Sequence, residues 1–145
     1  MLLAVFYRNI IALRYYPTLM EDSTKFRNTG IKRIILAGKY SMDGLGAAFK
    51  NEAAFRQEVL LSFVLIPVAI WLQPGFTAFC LLVGSLFLVM IVELLNTGIE
   101  AAIDYQSMEI HPMAKLAKDL GSAAVLLSLI NLSLVWGFYL WDRFA

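Results

Sequence analysis

One cysteine, one histidine and 16% charged residues are all that 145 positions supply of the side chains from which most soluble enzymes build their sites. Cys80 lies in the apolar run FTAFCLLVGSLF with no intrachain partner for a disulfide and no soft ligands around it, so it reads as a packing residue. A lone His111, beside Pro112, supports no zinc motif. The chain also has no G-x-x-x-x-G-K-[ST] phosphate loop, no paired H-R-D and D-F-G motifs and no G-x-G-x-x-G fingerprint, which disfavours the known soluble nucleotide-binding folds. Twelve Lys and Arg against eleven Asp and Glu leave a net charge of +1, which argues for neither a nucleic-acid partner nor an acidic tail.

The shortage of charge is the most informative absence. A soluble domain is about 25% charged, and one of this size leaves roughly a third of its surface to be covered by polar groups. Here 60% of the residues are apolar and the mean hydropathy is +0.71, so lipid is the expected surroundings. Residues 59–92 form a run of 34 positions without Asp, Glu, Lys or Arg, and residues 120–141 form a second of 22. A helix crosses a hydrocarbon core of about 30 Å with about 20 apolar residues. The turn signal Gln73-Pro74-Gly75 divides the longer run in two. The sequence therefore predicts an all-α membrane protein with three spans, roughly Ala54 to Leu72, Phe76 to Leu95 and Leu120 to Leu140. Pro67 can kink the first, which must also admit Arg56 and Glu58, at the headgroup level or turned toward protein.

Charge placement predicts orientation. Nine of the twelve Lys and Arg residues lie before the first span or in its first turn: Arg8, Arg14, Lys25, Arg27, Lys32, Arg33, Lys39, Lys50 and Arg56. The amino terminus is expected in the cytoplasm, with the QPG turn opposite, the Glu100–Asp119 connection back on the cytoplasmic side and the WDRFA tail in the periplasm. Ahead of the first span, Ile31, Ile34, Ile35, Met42, Leu45 and Phe49 recur at helical spacing opposite Lys32, Arg33, Lys39, Asp43 and Lys50. That pattern predicts an amphipathic helix on the membrane surface, or one that caps the spanning helices. The opening MLLAVFYRNIIALRYY, broken by Arg8 and Arg14, does not read as a cleavable secretory signal. Residues 1–30 read as an accessory surface segment and linker ahead of a three-span domain over 31–145. Gly84-Ser85 and Gly121-Ser122-Ala123-Ala124 would let helices approach closely, as small residues in spans commonly do.

The second span ends in LVMIVELLNTGIEAAID, which puts Glu93, Asn96, Glu100 and Asp104 on one helical face. Carboxylates toward lipid tails are costly, so Glu93 and Glu100 should face protein, water or a cation. Carboxylates with an amide oxygen could hold Mg²⁺ together with nucleotide phosphates, because this hard ion takes oxygen ligands and seldom an all-protein cage. An interhelical polar network that fixes register explains the same spacing. In EIHPMAKLAKDLGS, Lys115, Lys118 and Asp119 precede the third apolar run, where Lys118 suits a phosphate contact and equally a headgroup-facing positive patch.

NEAAFRQE at 51–58, VELLNTGIEAAID at 92–104 and AKDLGSAAVLL at 117–127 resemble the prokaryotic diacylglycerol kinase family. The likeness runs from about Lys32 to the carboxyl terminus and keeps order and spacing around all three spans. It implies a homotrimeric, three-span lipid kinase of the bacterial inner membrane, acting in phospholipid metabolism. Such an enzyme moves the γ-phosphoryl group of ATP, with Mg²⁺, to the free hydroxyl of diacylglycerol and forms phosphatidic acid. The resemblance further implies Glu93 as general base, Glu52 and Glu100 as metal-coordinating carboxylates and Asn96 in support. Lys118 beside Asp119 would contact phosphates, with Arg33 and Tyr40 as nucleotide contacts of the surface helix, Glu109 with His111 as the adenine-side pair, and Glu58 and Glu93 near the lipid. Sites in this family are often completed across subunits. The acceptor expected is diacylglycerol, with a polyprenol such as undecaprenol as the enzymatic alternative and a noncatalytic membrane-packing protein as the alternative of another class.

Overall fold

The computed structural model describes residues 30–106 and 111–145, all but their ends and short junctions helical. Most of the accessory segment, and Glu109, lie outside the described residues. Four helices follow in chain order: α1 Ile31–Asn51, α2 Ala53–Leu72, α3 Phe76–Gln106 and α4 Pro112–Phe144. The chain divides between Asp43 and Gly44 into two compact units, so the boundary falls inside α1.

The second unit holds the last two turns of α1 and the three long helices. α1 stops because Glu52 is extended, at φ −102° and ψ 119°. The guanidinium of Arg56 then turns back and donates to the carbonyls of Phe49 and Lys50 at 3.1 and 3.0 Å. These belong to the final helical turn, whose carbonyls have no partner within the helix. Arg56 is thereby accommodated at the head of an apolar helix as a cap rather than as a charge facing lipid tails. α2 ends at Gln73, whose φ of 47° is left-handed and whose N–H returns to the Ile70 carbonyl at 3.2 Å. Pro74 and Gly75 complete the turn, and α3 begins at once.

α2, α3 and α4 are each long and apolar enough to cross a membrane. The first coincides with the expected span to within a residue. The other two run well past the expected boundaries, α3 by a further eleven residues to Gln106 and α4 starting eight residues earlier at Pro112. Hydropathy marks only the stretch suited to lipid, whereas helix continues as long as the residues are good helix formers and no turn signal intervenes. At about 1.5 Å per residue, the 31 residues of α3 span about 46 Å. That exceeds the hydrocarbon thickness by several turns and carries Asn96, Glu100 and Asp104 on regular helix beyond the apolar stretch.

α3 packs against both α2 and α4 and so forms the centre of this unit. The core is Ala69 from α2, Leu82, Leu86 and Val89 from α3, and Leu132 and Trp136 from α4. Trp136 Nε1 donates to the Leu82 carbonyl at 3.2 Å, and Ser85 Oγ donates to the same carbonyl at 2.8 Å. Beyond this seam, Leu60, Phe63, Trp71, Phe76, Leu126, Leu127, Phe138 and Trp141 are exposed in the single chain. Only 17–28% of each apolar stretch is covered by the chain itself, so the cover for the rest comes from outside it.

Candidate active site

The site is built where α2 meets α3 and continues along α3 toward α4. Ser62 Oγ donates to the Glu58 carbonyl one turn back at 2.9 Å and lies 4.0 Å from Met90 Sδ. Glu58 and Ser62 are four residues apart on α2, and Met90 and Glu93 three apart on α3. Each pair therefore shares a helical face, and the Ser62–Met90 contact sets the two faces together. Glu58 and Glu93 are both buried, at 9% and 6% exposure, which is rare for carboxylates. Glu58 on α2 and Glu93 on α3 flank the Ser62–Met90 contact, with Glu52 at the amino end of α2 and Glu100 two turns further along α3. Among the described residues none of these four carboxylates has a salt-bridge partner; the ion pairs formed are Lys115–Asp119 and Lys118–Asp104.

One turn along α3 from Glu93, Asn96 Nδ2 donates to Glu100 Oε1 at 3.2 Å. The other end of the amide, Oδ1, is buried and without a hydrogen-bond partner among the described residues, as is Glu58 Oε2. Buried polar atoms are satisfied in the great majority of proteins, and exceptions concentrate where a ligand or ion is handled. One further turn along, Asp104 accepts from Lys118 Nζ at 2.5 Å and bridges α3 to α4.

Glu58 and Glu93 thus flank the α2–α3 contact, Asn96 and Glu100 continue along α3, and Lys118 is joined to that helix through Asp104, while no three of the described carboxylates gather closely enough to hold a metal ion. Asp119 does not contact Lys118 but accepts from Lys115 Nζ at 2.6 Å, an exposed pair one turn apart along α4. The ring of His111 caps α4, with Nδ1 accepting from the Met113 N–H at 3.2 Å. Arg33 and Tyr40 are exposed on the part of α1 that belongs to the first unit. Two partners were not anticipated from sequence. Ser62, one turn after Glu58, was a legible sign of which face of α2 is polar. Asp104 as the mate of Lys118 was not legible, because the two are 14 positions apart across a connection.

These features meet in a known family. The family model for prokaryotic diacylglycerol kinase matches residues 39–140. The chain belongs to the prokaryotic diacylglycerol kinase family. The diacylglycerol kinase of Escherichia coli strain K12 is 47% identical over 117 residues, covering 81% of this chain and 96% of that one. That of Pseudomonas aeruginosa is 49% identical over 117 residues, 81% and 95% of the two chains. That of Helicobacter pylori strain 26695 is 47% identical over 111 residues, 77% and 87%. As a prokaryotic diacylglycerol kinase with three apolar spans, the chain is an integral membrane protein, and both segments that carry the clustered carboxylates fall inside the matched region.

Proposed function

We propose that this protein transfers the γ-phosphoryl group of ATP to the free hydroxyl of diacylglycerol, giving phosphatidic acid and ADP. The observation that carries this reading is the buried Glu58–Glu93 pair at the α2–α3 contact of a prokaryotic diacylglycerol kinase, continuous along α3 with Asn96 and Glu100. In this reading Glu93 accepts the proton of the lipid hydroxyl as its oxygen attacks the γ-phosphorus. The bond from that phosphorus to the β–γ bridging oxygen breaks, and ADP leaves. Phosphoryl transfer needs alignment and charge neutralisation more than covalent help, which suits a site made of a few carboxylates, an amide and a lysine. Glu58 lies on the lipid side and orients the hydroxyl toward Glu93. Lys118 supplies a point charge to the phosphates when it exchanges Asp104 for them. Asp119, Arg33, Tyr40, Glu109 and His111 form the outer nucleotide contacts.

Mg²⁺ fits the donors present. They are carboxylate oxygens, the hard donors this ion takes. This ion is commonly held by one or two carboxylates and completes its shell with water and substrate phosphate. Glu52 and Glu100 would hold it. When bound it neutralises charge developing on the phosphate oxygens.

The protein acts as a homotrimer in the bacterial inner membrane, with sites shared between subunits, the amino terminus in the cytoplasm and the carboxyl terminus in the periplasm. Support comes from the small fraction of each span that the chain covers itself and from the nine early Lys and Arg residues. α1 lies on the cytoplasmic membrane surface with Ile31, Ile34, Ile35, Met42, Leu45 and Phe49 toward lipid; all six are exposed in the single chain. The test is transfer of label from γ-labelled ATP to lipid by purified protein in mixed micelles, with diacylglycerol and undecaprenol in matched amounts. Mg²⁺-dependent labelling of phosphatidic acid is expected. An assembled protein that labels no lipid, or labels the polyprenol in preference, ends this reading.

A further inference from the structure

Asn96 is the hinge between the carboxylate cluster and α4, and what holds it in place is an absence. Gly121 is buried in the interior of α4. Among the described residues it is the one glycine whose missing side chain leaves a place already occupied: a Cβ there would collide with Asn96 Oδ1 and would stand 3.3 Å from Asn96 Cγ and 3.8 Å from Asn96 Cβ. The amide is thus fixed at both ends. Nδ2 donates to Glu100 Oε1 at 3.2 Å, and Oδ1 rests against the Gly121 backbone with no hydrogen-bond partner among the described residues. Turning the amide over would set its carbonyl oxygen against the Glu100 carboxylate, two acceptors facing each other, so the orientation is determined. On a helix the asparagine has few other rotamers open to it, because one χ1 well is blocked by the preceding turn.

We infer that Gly121 is a positioning residue of the phosphoryl-transfer site, its lack of a side chain holding the Asn96 amide where it orients the Glu100 carboxylate. The inference rests on the proposed lipid kinase reading for the role of Glu100, but the coupling between positions 121 and 96 stands on the packing alone. A methyl group at 121 drives Asn96 out of its rotamer and releases Glu100. Loss of a residue that orients a metal-binding carboxylate weakens metal affinity by about 10- to 100-fold.

The experiment is a double-mutant cycle on the full chain in detergent, with Gly121→Ala, Asn96→Ala and the double variant, read by thermal unfolding and by the Mg²⁺ concentration for half-maximal transfer to diacylglycerol. Gly121→Ala should lower the unfolding midpoint and raise the half-saturating Mg²⁺ by about tenfold or more. In the Asn96→Ala background it should do neither, because only the ordinary 3.8 Å contact with Cβ remains. If Gly121→Ala alone does not assemble, the double variant should restore assembly. The inference is overturned if Gly121→Ala leaves the Mg²⁺ dependence unchanged, or if its penalty is the same with alanine at 96. A wild-type protein that transfers nothing to diacylglycerol would count against the kinase reading instead, and the unfolding cycle would still decide the coupling.

Discussion

The two ends of α3 are packed by opposite rules. Around Leu82, Leu86 and Val89 the interior is apolar, and its few polar atoms are satisfied locally: Ser85 Oγ and Trp136 Nε1 share the Leu82 carbonyl, and Ser128 Oγ donates to the Val125 carbonyl at 2.7 Å. Around Glu93 the interior holds carboxylates and an amide, and two buried oxygens, Glu58 Oε2 and Asn96 Oδ1, lack partners among the described residues. In lipid the apolar effect between helices is weak, and close packing with satisfied polar groups holds spans together. The Leu82–Trp136 end follows that rule. The Glu93 end departs from it, and a departure that costs stability is what a binding or catalytic site looks like in an otherwise consistent fold.

The contrast can be broken most directly at Glu93. Glu93→Gln should cut turnover by about 10²- to 10⁴-fold, the usual worth of a general base. The same protein should unfold at an unchanged or higher temperature, since a buried carboxylate becomes a neutral amide. Labelled-lipid formation and thermal unfolding on one preparation measure both, and a stability loss that accounts for the lost activity would erase the distinction between the two ends. Leu82→Ala probes the other end. It removes a fully buried side chain and should cost about 1–2 kcal/mol of stability, the packing and cavity part alone because lipid offers no transfer penalty, with turnover per assembled molecule little changed.

Glu58→Gln sharpens the comparison within the site. If this carboxylate orients the lipid and Glu93 takes the proton, the substitution should raise the KM for diacylglycerol several-fold more than it lowers kcat. A loss confined to kcat would exchange the two roles. The smallest effect concerns the turn at the far end. Gln73 holds a left-handed conformation that favours glycine, so Gln73→Gly should stabilise by about 1 kcal/mol with no kinetic consequence, as a denaturation midpoint and a parallel assay can show.

Much of this is legible in the sequence itself. Gln73-Pro74-Gly75 marked the first turn correctly because left-handed and proline conformations are local properties of the chain. The shared face of Glu93, Asn96 and Glu100 also followed from spacing, and the Asn96–Glu100 hydrogen bond lies along it. The reach of α3 to Gln106 and the start of α4 at Pro112 were not legible from hydropathy, which reports lipid contact rather than helicity. The ion-pair partners of Lys118 and Asp119, Asp104 and Lys115, are not legible from their adjacency, because neighbouring residues on a helix point about 100° apart.

What the sequence determined alone is whatever depends on one segment at a time: three apolar lengths matched to a bilayer, a skewed distribution of positive charge, and motifs close enough to a known family to name it. Tertiary structure decided which segments' side chains meet. That Glu58 lies by Glu93, that Asp104 takes Lys118 and that Gly121 leaves room for Asn96 depend on how α2 and α4 are set against α3, a matter of mutual rotation and close approach that no single helix encodes. The scarcity of charge pointed to the membrane, and packing against α3 turned a handful of the remaining charges into a site.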